Sequence, residues 1–390
     1  GTNGKTTTAK LIQTILGKSG KKVFQNEGGA NLLNGIASSM LLRSSILCKV
    51  NYDYAILETD ENTLPLILKE IPNPDYILLL NLFRDQLDRY GEVNAIATKW
   101  KKAIERLSNK TVLILNADDP QIAYLGSFNH ISKAIPIPYR NRIDDKVFYF
   151  GLDNKELAGR NPEHASDSTY CPSCGKKLVY DAIYFSHLGD WKCEKCGFKH
   201  PDETFTKSPI YPLDGLYNQY NTNAAVLLTK QIGIDEKTIN SALHNFKPAF
   251  GRQEDLEVNG KKVKIFLSKN PTSFNESLRT ITSLDAKNLL IVLNDRIPDG
   301  RDVSWIWDVD FEELLDERGF VSVAGDRAYD MALRLKYTNV NINDKQVYTD
   351  LKKAISENLK SLNKNEALYI LPTYSAMLEV RKILTGKKIL

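Results

Sequence analysis

The chain has 390 residues, is 42% hydrophobic and 26% charged, and carries a net charge of +4. That length suits two or three domains with real cores, and the mild positive balance, without a long Lys/Arg run, does not point to nucleic acid. No uninterrupted apolar run of about 18 residues occurs and no signal peptide is visible, so no membrane span is expected.

The chain opens on Gly1-Thr2-Asn3-Gly4-Lys5-Thr6-Thr7. Gly4, Lys5 and Thr6 read as the end of a phosphate-binding loop. Glycines let backbone N–H groups turn toward phosphate oxygens, Lys5 offers charge to the terminal phosphates, and the Thr6 hydroxyl can ligate Mg²⁺. Leu11, Ile12, Ile15 and Leu16 then recur at helical spacing, which predicts a helix whose N-terminus favours anions. A phosphate loop is normally fed by a strand, so residues upstream of Gly1 are expected.

Up to about residue 155, strand patterns at 22–25, 52–57, 75–80, 111–115 and 146–150 alternate with helical patterns at 6–16, 34–42 and 94–106. This rhythm predicts a mostly parallel sheet with helices on both faces, which binds ligands at the carboxyl ends of its strands. Those ends are polar. One runs into Glu58-Thr59-Asp60-Glu61, the next into Asn81 through Tyr90, and a third into Asn116-Ala117-Asp118-Asp119. Glu58 at a strand end beside a phosphate loop suits a magnesium ligand, direct or through water.

Between about 165 and 205 the rhythm breaks. Cys171-Pro-Ser-Cys174 and Cys193-Glu-Lys-Cys196 form two knuckles, a spacing that places four thiolates around one structural Zn²⁺. The flanking Tyr180, Tyr184, Phe185 and Trp191 can pack a small ribbon. The fifth cysteine, Cys48, stands alone on an apolar stretch, and the whole pattern suits a reducing compartment. The five histidines are scattered and read as surface or satisfied residues; without a Cys/His pair the chain is not expected to hydrolyse glutamine alone.

From 255 onward strands at 263–267, 288–292, 320–323 and 367–371 predict a second, Rossmann-like α/β domain. The expected organisation is a central ATP-binding domain over 1–248, with the ribbon inserted, and a C-terminal domain over 249–390.

In their order these motifs resemble the Mur ligases. The phosphate loop, Glu58, Asn81…Asp85-Gln86-Leu87-Asp88 and Asn116-Ala-Asp118-Asp119 match the ATPase domain of that family. Gly215-Leu-Tyr217-Asn218-Gln-Tyr-Asn221 matches its nucleotide-side helix with Tyr217 in place of His, and Gly251-Arg252-Gln-Glu254 its hinge. The ribbon, together with Ser268-Lys269-Asn270-Pro271, Asn294 through Asp308 and Pro372-Thr373-Tyr374, is similar to the MurT family of synthetase subunits. The resemblance implies Thr2, Asn3, Gly4, Lys5, Thr6, Thr7, Asn218, Asn221 and Arg252 as nucleotide-binding residues, with Thr6 and Glu58 on Mg²⁺. It implies ATP-dependent amidation of the D-glutamate α-carboxyl of lipid II, with ammonia from a GatD-type glutaminase subunit. It also implies a cytoplasmic location near the inner face of the plasma membrane, reached through the lipid-linked substrate only. Asp302 is the match for a carboxylate lent to the partner's glutaminase site, with Asp295 and Asp299 as alternatives and Trp305 and Trp307 as interface anchors. The family's ribose-contacting Asp falls here at Phe266. The rival readings are an amino-acid-adding ligase of the Mur or folylpolyglutamate kind and an ATP-driven nucleic-acid-binding module.

Overall fold

The computed structural model describes residues 1–26, 30–45, 50–84, 93–108, 110–128, 146–152, 156, 166–315, 320–338, 340–363 and 365–386. Cys48 and Asp85 through Asp88 lie outside them. The chain divides into two compact units, with the change between Lys247 and Pro248.

The first unit runs α1 (Lys5–Lys18), β1 (Val23–Gln25), α2 (Leu33–Leu42), β2 (Tyr54–Ile56), α3 (Leu64–Glu70), β3 (Tyr76–Leu79), α4 (Val93–Ile104), β4 (Val112–Asn116), α5 (Pro120–Leu125), β5 (Val147–Phe150), β6 (Val179–Phe185), β7 (Leu188–Lys192), α6 (Leu216–Ile232) and α7 (Glu236–His244). β1 and β2 pair in parallel, as do β3, β4 and β5 in that order. The predicted face of α1, Leu11, Ile12, Ile15 and Leu16, is buried against Ala224, Ala225 and Leu228 of α6 and Leu243 of α7. On the other side Trp100 of α4, fully enclosed, joins Leu79, Leu113 and Leu115. The central strand β4, covered on two sides, buries four of its five residues and reads as a plain apolar run.

β6 and β7 form an antiparallel hairpin seated on the turn after β4. Trp191 is fully buried and its indole N–H donates to Ala117 O at 3.2 Å. Its ring lies 4.9 Å from that of Phe198. A large aromatic with its one donor satisfied fixes the ribbon by area and direction together.

The second unit has one six-stranded sheet, ordered β12-β11-β10-β13-β9-β8. Its elements are β8 (Arg252–Val258), β9 (Lys261–Phe266), α8 (Pro271–Ser283), β10 (Asn288–Val292), β11 (Phe320–Ala324), α9 (Ala328–Lys336), β12 (Val347–Tyr348), α10 (Leu351–Ser361), β13 (Ala367–Pro372) and α11 (Tyr374–Thr385). All neighbours are parallel except β8 and β9. Leu289 and Ile291 face Phe274 of α8 and Met331 of α9, while Leu290 and Val292 face Ala354 of α10 and Val380 of α11. The two-residue alternation thus feeds two cores. The sequence reading did not anticipate β8 and β12. β8 is an edge strand with only Gln253 buried, and β12 has two residues, so neither carries an apolar run.

Candidate functional site

The opening loop is fixed before α1 begins. Thr2 N donates to Asn81 O at 3.1 Å, and its hydroxyl is 3.0 Å from both Phe83 N and Phe83 O. Asn81 accepts from Asn3 N at 2.9 Å and donates to Asn3 O at 3.0 Å. Gly4 is the N-cap of α1 at φ 87°. A Cβ there would lie 1.9 Å from Asn221 Oδ1, so both backbone conformation and space demand glycine. Asn221 also accepts from the Thr8 hydroxyl at 3.3 Å and donates to Asn218 at 3.1 Å. α6 therefore braces the loop through Asn221, with Asn218 behind it. Thr7 is buried under the loop.

Two polar pairs follow. Thr6 Oγ1 lies 2.9 Å from Glu58 Oε1. Adjacent oxygens of an octahedral Mg²⁺ with bonds near 2.1 Å sit about 3 Å apart, so this pair has the spacing and hardness of two magnesium ligands. Glu58 is itself fixed, since its backbone N–H donates to Asn26 Oδ1 and its carbonyl accepts from Asn26 Nδ2, both at 2.8 Å. Lys5 Nζ is 2.7 Å from Glu61 Oε1, 2.8 Å from Gly1 O and 3.2 Å from Thr2 O. Glu61 is buried and Trp100 donates to its carbonyl at 2.7 Å. Glu61 and Asn26 were not singled out from the sequence. The acidic run after β2 was the available signal for Glu61; Asn26, a lone residue after a short strand, gave none.

The third strand end behaves differently. Asn116, Asp118 and Asp119 are fully buried and tie the sheet together. Asn116 donates to Leu80 O at 2.8 Å, and Asp119 accepts from Leu82 N at 2.8 Å while capping α5. Asp118 accepts from Leu152 N at 3.1 Å, from the Tyr220 hydroxyl, and from His200 Nε2 at 2.8 Å. This corrects the picture of scattered histidines. His200 joins Asp118 and Glu203, with ligand atoms within 4.8 Å of one another, and His187 is enclosed beside Asp119 at 3.3 Å. Burial pushes the Asp118 carboxyl above its usual range against the His200 and Tyr220 bonds that lower it. For His200 burial acts downward, but the hydrogen bond and charge of Asp118 with the charge of Glu203 outweigh it, and its pKa is raised.

The four cysteines of the ribbon are free thiols that converge. Cys171 Sγ is 3.6 Å from Cys196 Sγ and Cys174 Sγ is 3.5 Å from Cys193 Sγ, and all four sulfurs lie within 4.8 Å of one another. Tetrahedral Zn–S bonds near 2.3 Å separate sulfurs by about 3.8 Å, so the set fits zinc. Each knuckle closes on a glycine, Gly175 N donating to Cys171 O and Gly197 N to Cys193 O. Burial pushes the Cys171 thiol up to about 12, whereas N–H donation from Cys196 brings Cys193 down to about 7.

In the second unit Arg252 opens β8. Asp302 is exposed, accepts from Ser304 N at 2.8 Å, and is held below the usual carboxylate range by that bond. The two alternatives are engaged elsewhere. Asp295 pairs with Arg327 at 3.1 Å, and Asp299 is buried, accepts from Ser375 N at 2.8 Å and from the Ser375 hydroxyl, and is raised by burial. Trp305 packs on Phe274, ring centroids 6.0 Å apart, whereas Trp307 is 49% exposed. Phe266 lies in the core and offers no polar atom to a ribose.

Residues 1–155 match the Mur ligase middle domain and 267–377 the MurT ligase C-terminal family. Over 362 residues the chain is 33% identical to the lipid II isoglutaminyl synthase (glutamine-hydrolyzing) subunit MurT of Staphylococcus aureus strain COL, covering 88% of this chain and 77% of that one. The corresponding Streptococcus pneumoniae subunit is 31% identical over 409 residues, covering 100% and 87%. In fold the chain is similar to a pseudomurein peptide ligase type C from Methanothermus fervidus, with TM-score 0.71 at 24% identity, covering 99% of this chain and 77% of that one. It is also similar to the MurF ligase of Thermotoga maritima solved with ADP, with TM-score 0.61 at 17% identity, covering 98% and 76%. Residues 1–155 thus have the match, and the chain the fold, of a Mur-type ligase. Within that class, the chain belongs to the family of MurT subunits.

Proposed function

We propose that this chain is the ATP-using half of a lipid II isoglutaminyl synthase, converting the α-carboxylate of D-glutamate in the lipid II stem peptide to an amide. The observation that carries the reading is the meeting of the Thr6 hydroxyl and the Glu58 carboxylate at 2.9 Å beside the loop, in a chain of the MurT family. Thr6 and Glu58 would hold Mg²⁺, which would offset the charge of the phosphates. Thr2, Asn3, Gly4 and Thr7 shape the loop, Lys5 supplies a cation to the terminal phosphates, and Asn218 and Asn221 support the nucleotide side. Arg252 stabilises charge developing on the transferred group.

In the reaction a carboxylate oxygen attacks the γ-phosphorus and the bond to ADP breaks, giving an acyl phosphate. Ammonia then attacks the acyl carbon, phosphate leaves, and a proton is lost from nitrogen. The ammonia comes from glutamine at a GatD-type partner subunit, for which Asp302 supplies the carboxylate that orients the partner's imidazole. Its exposure and ionisation support this role, since Asp295 and Asp299 are already engaged. The second unit is read as Rossmann-like from its run of parallel strands, and the ribbon as a structural zinc site of the first. The enzyme works in the cytoplasm at the membrane-embedded substrate; among the described residues no helix is long and apolar enough to cross a membrane.

The experiment is amidation of lipid II by the full-length chain with its partner, given Mg·ATP and either glutamine, ammonium chloride or free amino acids. The amide should form with the first two. Incorporation of an amino acid instead would replace this reading with that of an amino-acid-adding ligase.

A further inference from the structure

The turn joining β6 and β7 does more than close the ribbon. His187, in that turn, is enclosed, with Nε2 3.3 Å from Asp119 Oδ2. The same carboxylate oxygen accepts from Leu82 N at 2.8 Å, while Oδ1 caps α5 through Gln121 and Ile122. The next residue, Phe83, has its ring 4.7 Å from the His187 ring and 5.8 Å from that of Phe185. Phe83 in turn holds Thr2, its N–H donating to the Thr2 hydroxyl and its carbonyl accepting from it, both at 3.0 Å. Cys193, which follows β7, is thus joined to Thr2 of the phosphate loop by one hairpin, the buried carboxylate of Asp119 and the buried ring of Phe83.

We propose that this hairpin turn is a positioning element of the phosphate loop, acting through His187 and Phe83 on Thr2. The physical basis is the cost of loosening any member. Without the imidazole, the buried Asp119 loses a partner and the ring of Phe83 loses one wall. The 82–83 backbone is then free to shift, and Thr2 with it. A loop whose N–H groups must aim at phosphate oxygens tolerates little displacement. Zinc in the ribbon, by fixing the base of β7, would hold the nucleotide site as well as the ribbon itself. His187 and Phe83 are positioning residues, since both are enclosed and act on the loop through Thr2.

The proposal rests on the phosphate-loop reading, and the test separates the two. Mg·ADP is titrated by calorimetry into the full-length chain with its partner, with zinc content and thermal melting measured in parallel. His187→Ala and Phe83→Leu should retain zinc and a cooperative melt yet bind ADP about fivefold or more weakly. His187→Gln, which still donates toward Asp119, should recover part of the loss. Lys192→Ala, on the exposed edge of β7 where Lys192 pairs with Asp181 at 2.9 Å, should leave affinity at the wild-type level. A second measurement needs no variant: zinc removal from the wild-type complex should raise amide hydrogen exchange over residues 1–8. Unchanged ADP affinity in the zinc-loaded variants, or unchanged exchange over 1–8 on zinc removal, would overturn the proposal. Failure of the wild-type chain to bind ADP would remove the phosphate-loop reading and the proposal with it.

Discussion

The role proposed for Lys5 rests on where its charge sits. It is 12% exposed and paired with a carboxylate that is 4% exposed, so its charge is already desolvated where a phosphate would meet it. A preorganised cation of this kind is worth far more than one in water. Lys5→Ala is expected to cost about 3 kcal/mol or more in transition-state stabilisation, seen as loss of ATP turnover. The substitution also takes from the buried Glu61 a cation 2.7 Å away, so the melting temperature should fall. Lys5→Ala with Glu61→Gln should recover stability but not turnover. A stable Lys5→Ala enzyme with near-normal amidation would contradict the role. Glu58 and Lys5 were legible because a strand end and a glycine-rich loop announce themselves locally. His200 was not, because its partner Asp118 lies 82 residues away in sequence and only the seating of the ribbon on the β4 turn brings them together.

At the scale of elements, the ribbon and its seat form one unit of packing. Metal analysis of protein purified without chelator should find one zinc per chain, and chelation should lower the melting temperature, because thiolate ligation contributes folding free energy. A metal-free, fully stable protein would refute this. The joint between ribbon and core should also depend on pH. The pKa of His200 is raised in the folded chain, so its stabilisation is complete below the unfolded value of about 6.5 and is lost as pH rises through the folded one. Asp118, also raised, has the same sign: its contribution is full below its unfolded value and gone once pH exceeds the folded one. The melting-temperature difference between wild type and His200→Gln should therefore shrink from pH 7 to pH 9; a difference that grows would show that the pair acts otherwise. The two cysteine knuckles are visible in sequence by spacing alone. Their docking is not, since it rests on contacts between residues far apart in sequence, among them the Trp191 indole N–H on Ala117 and His200 on Asp118.

At the scale of the whole molecule, the apolar rhythm marked nine strands at nearly their observed places, because strands of parallel sheets bury both faces. It missed β8 and β12, which are edges, and marked neither β6 nor β7 of the ribbon. Asp302 belongs to this scale because its proposed work is done for another chain. Asp302→Asn should abolish glutamine-driven amidation by the complex, spare ATP hydrolysis and subunit association, and be bypassed by high ammonia. Wild-type glutaminase activity in that variant would leave the 294–308 segment a structural one.

The central claim is that ATP activates a substrate carboxylate in this chain. The most direct measurement labels the D-glutamate α-carboxyl of the lipid-linked substrate with heavy oxygen and follows the label by mass spectrometry as the complex turns over with ammonium chloride. Activation through an acyl phosphate transfers one labelled oxygen to the released phosphate and leaves the other in the amide. Phosphate that carries no label while the amide accumulates would contradict the account.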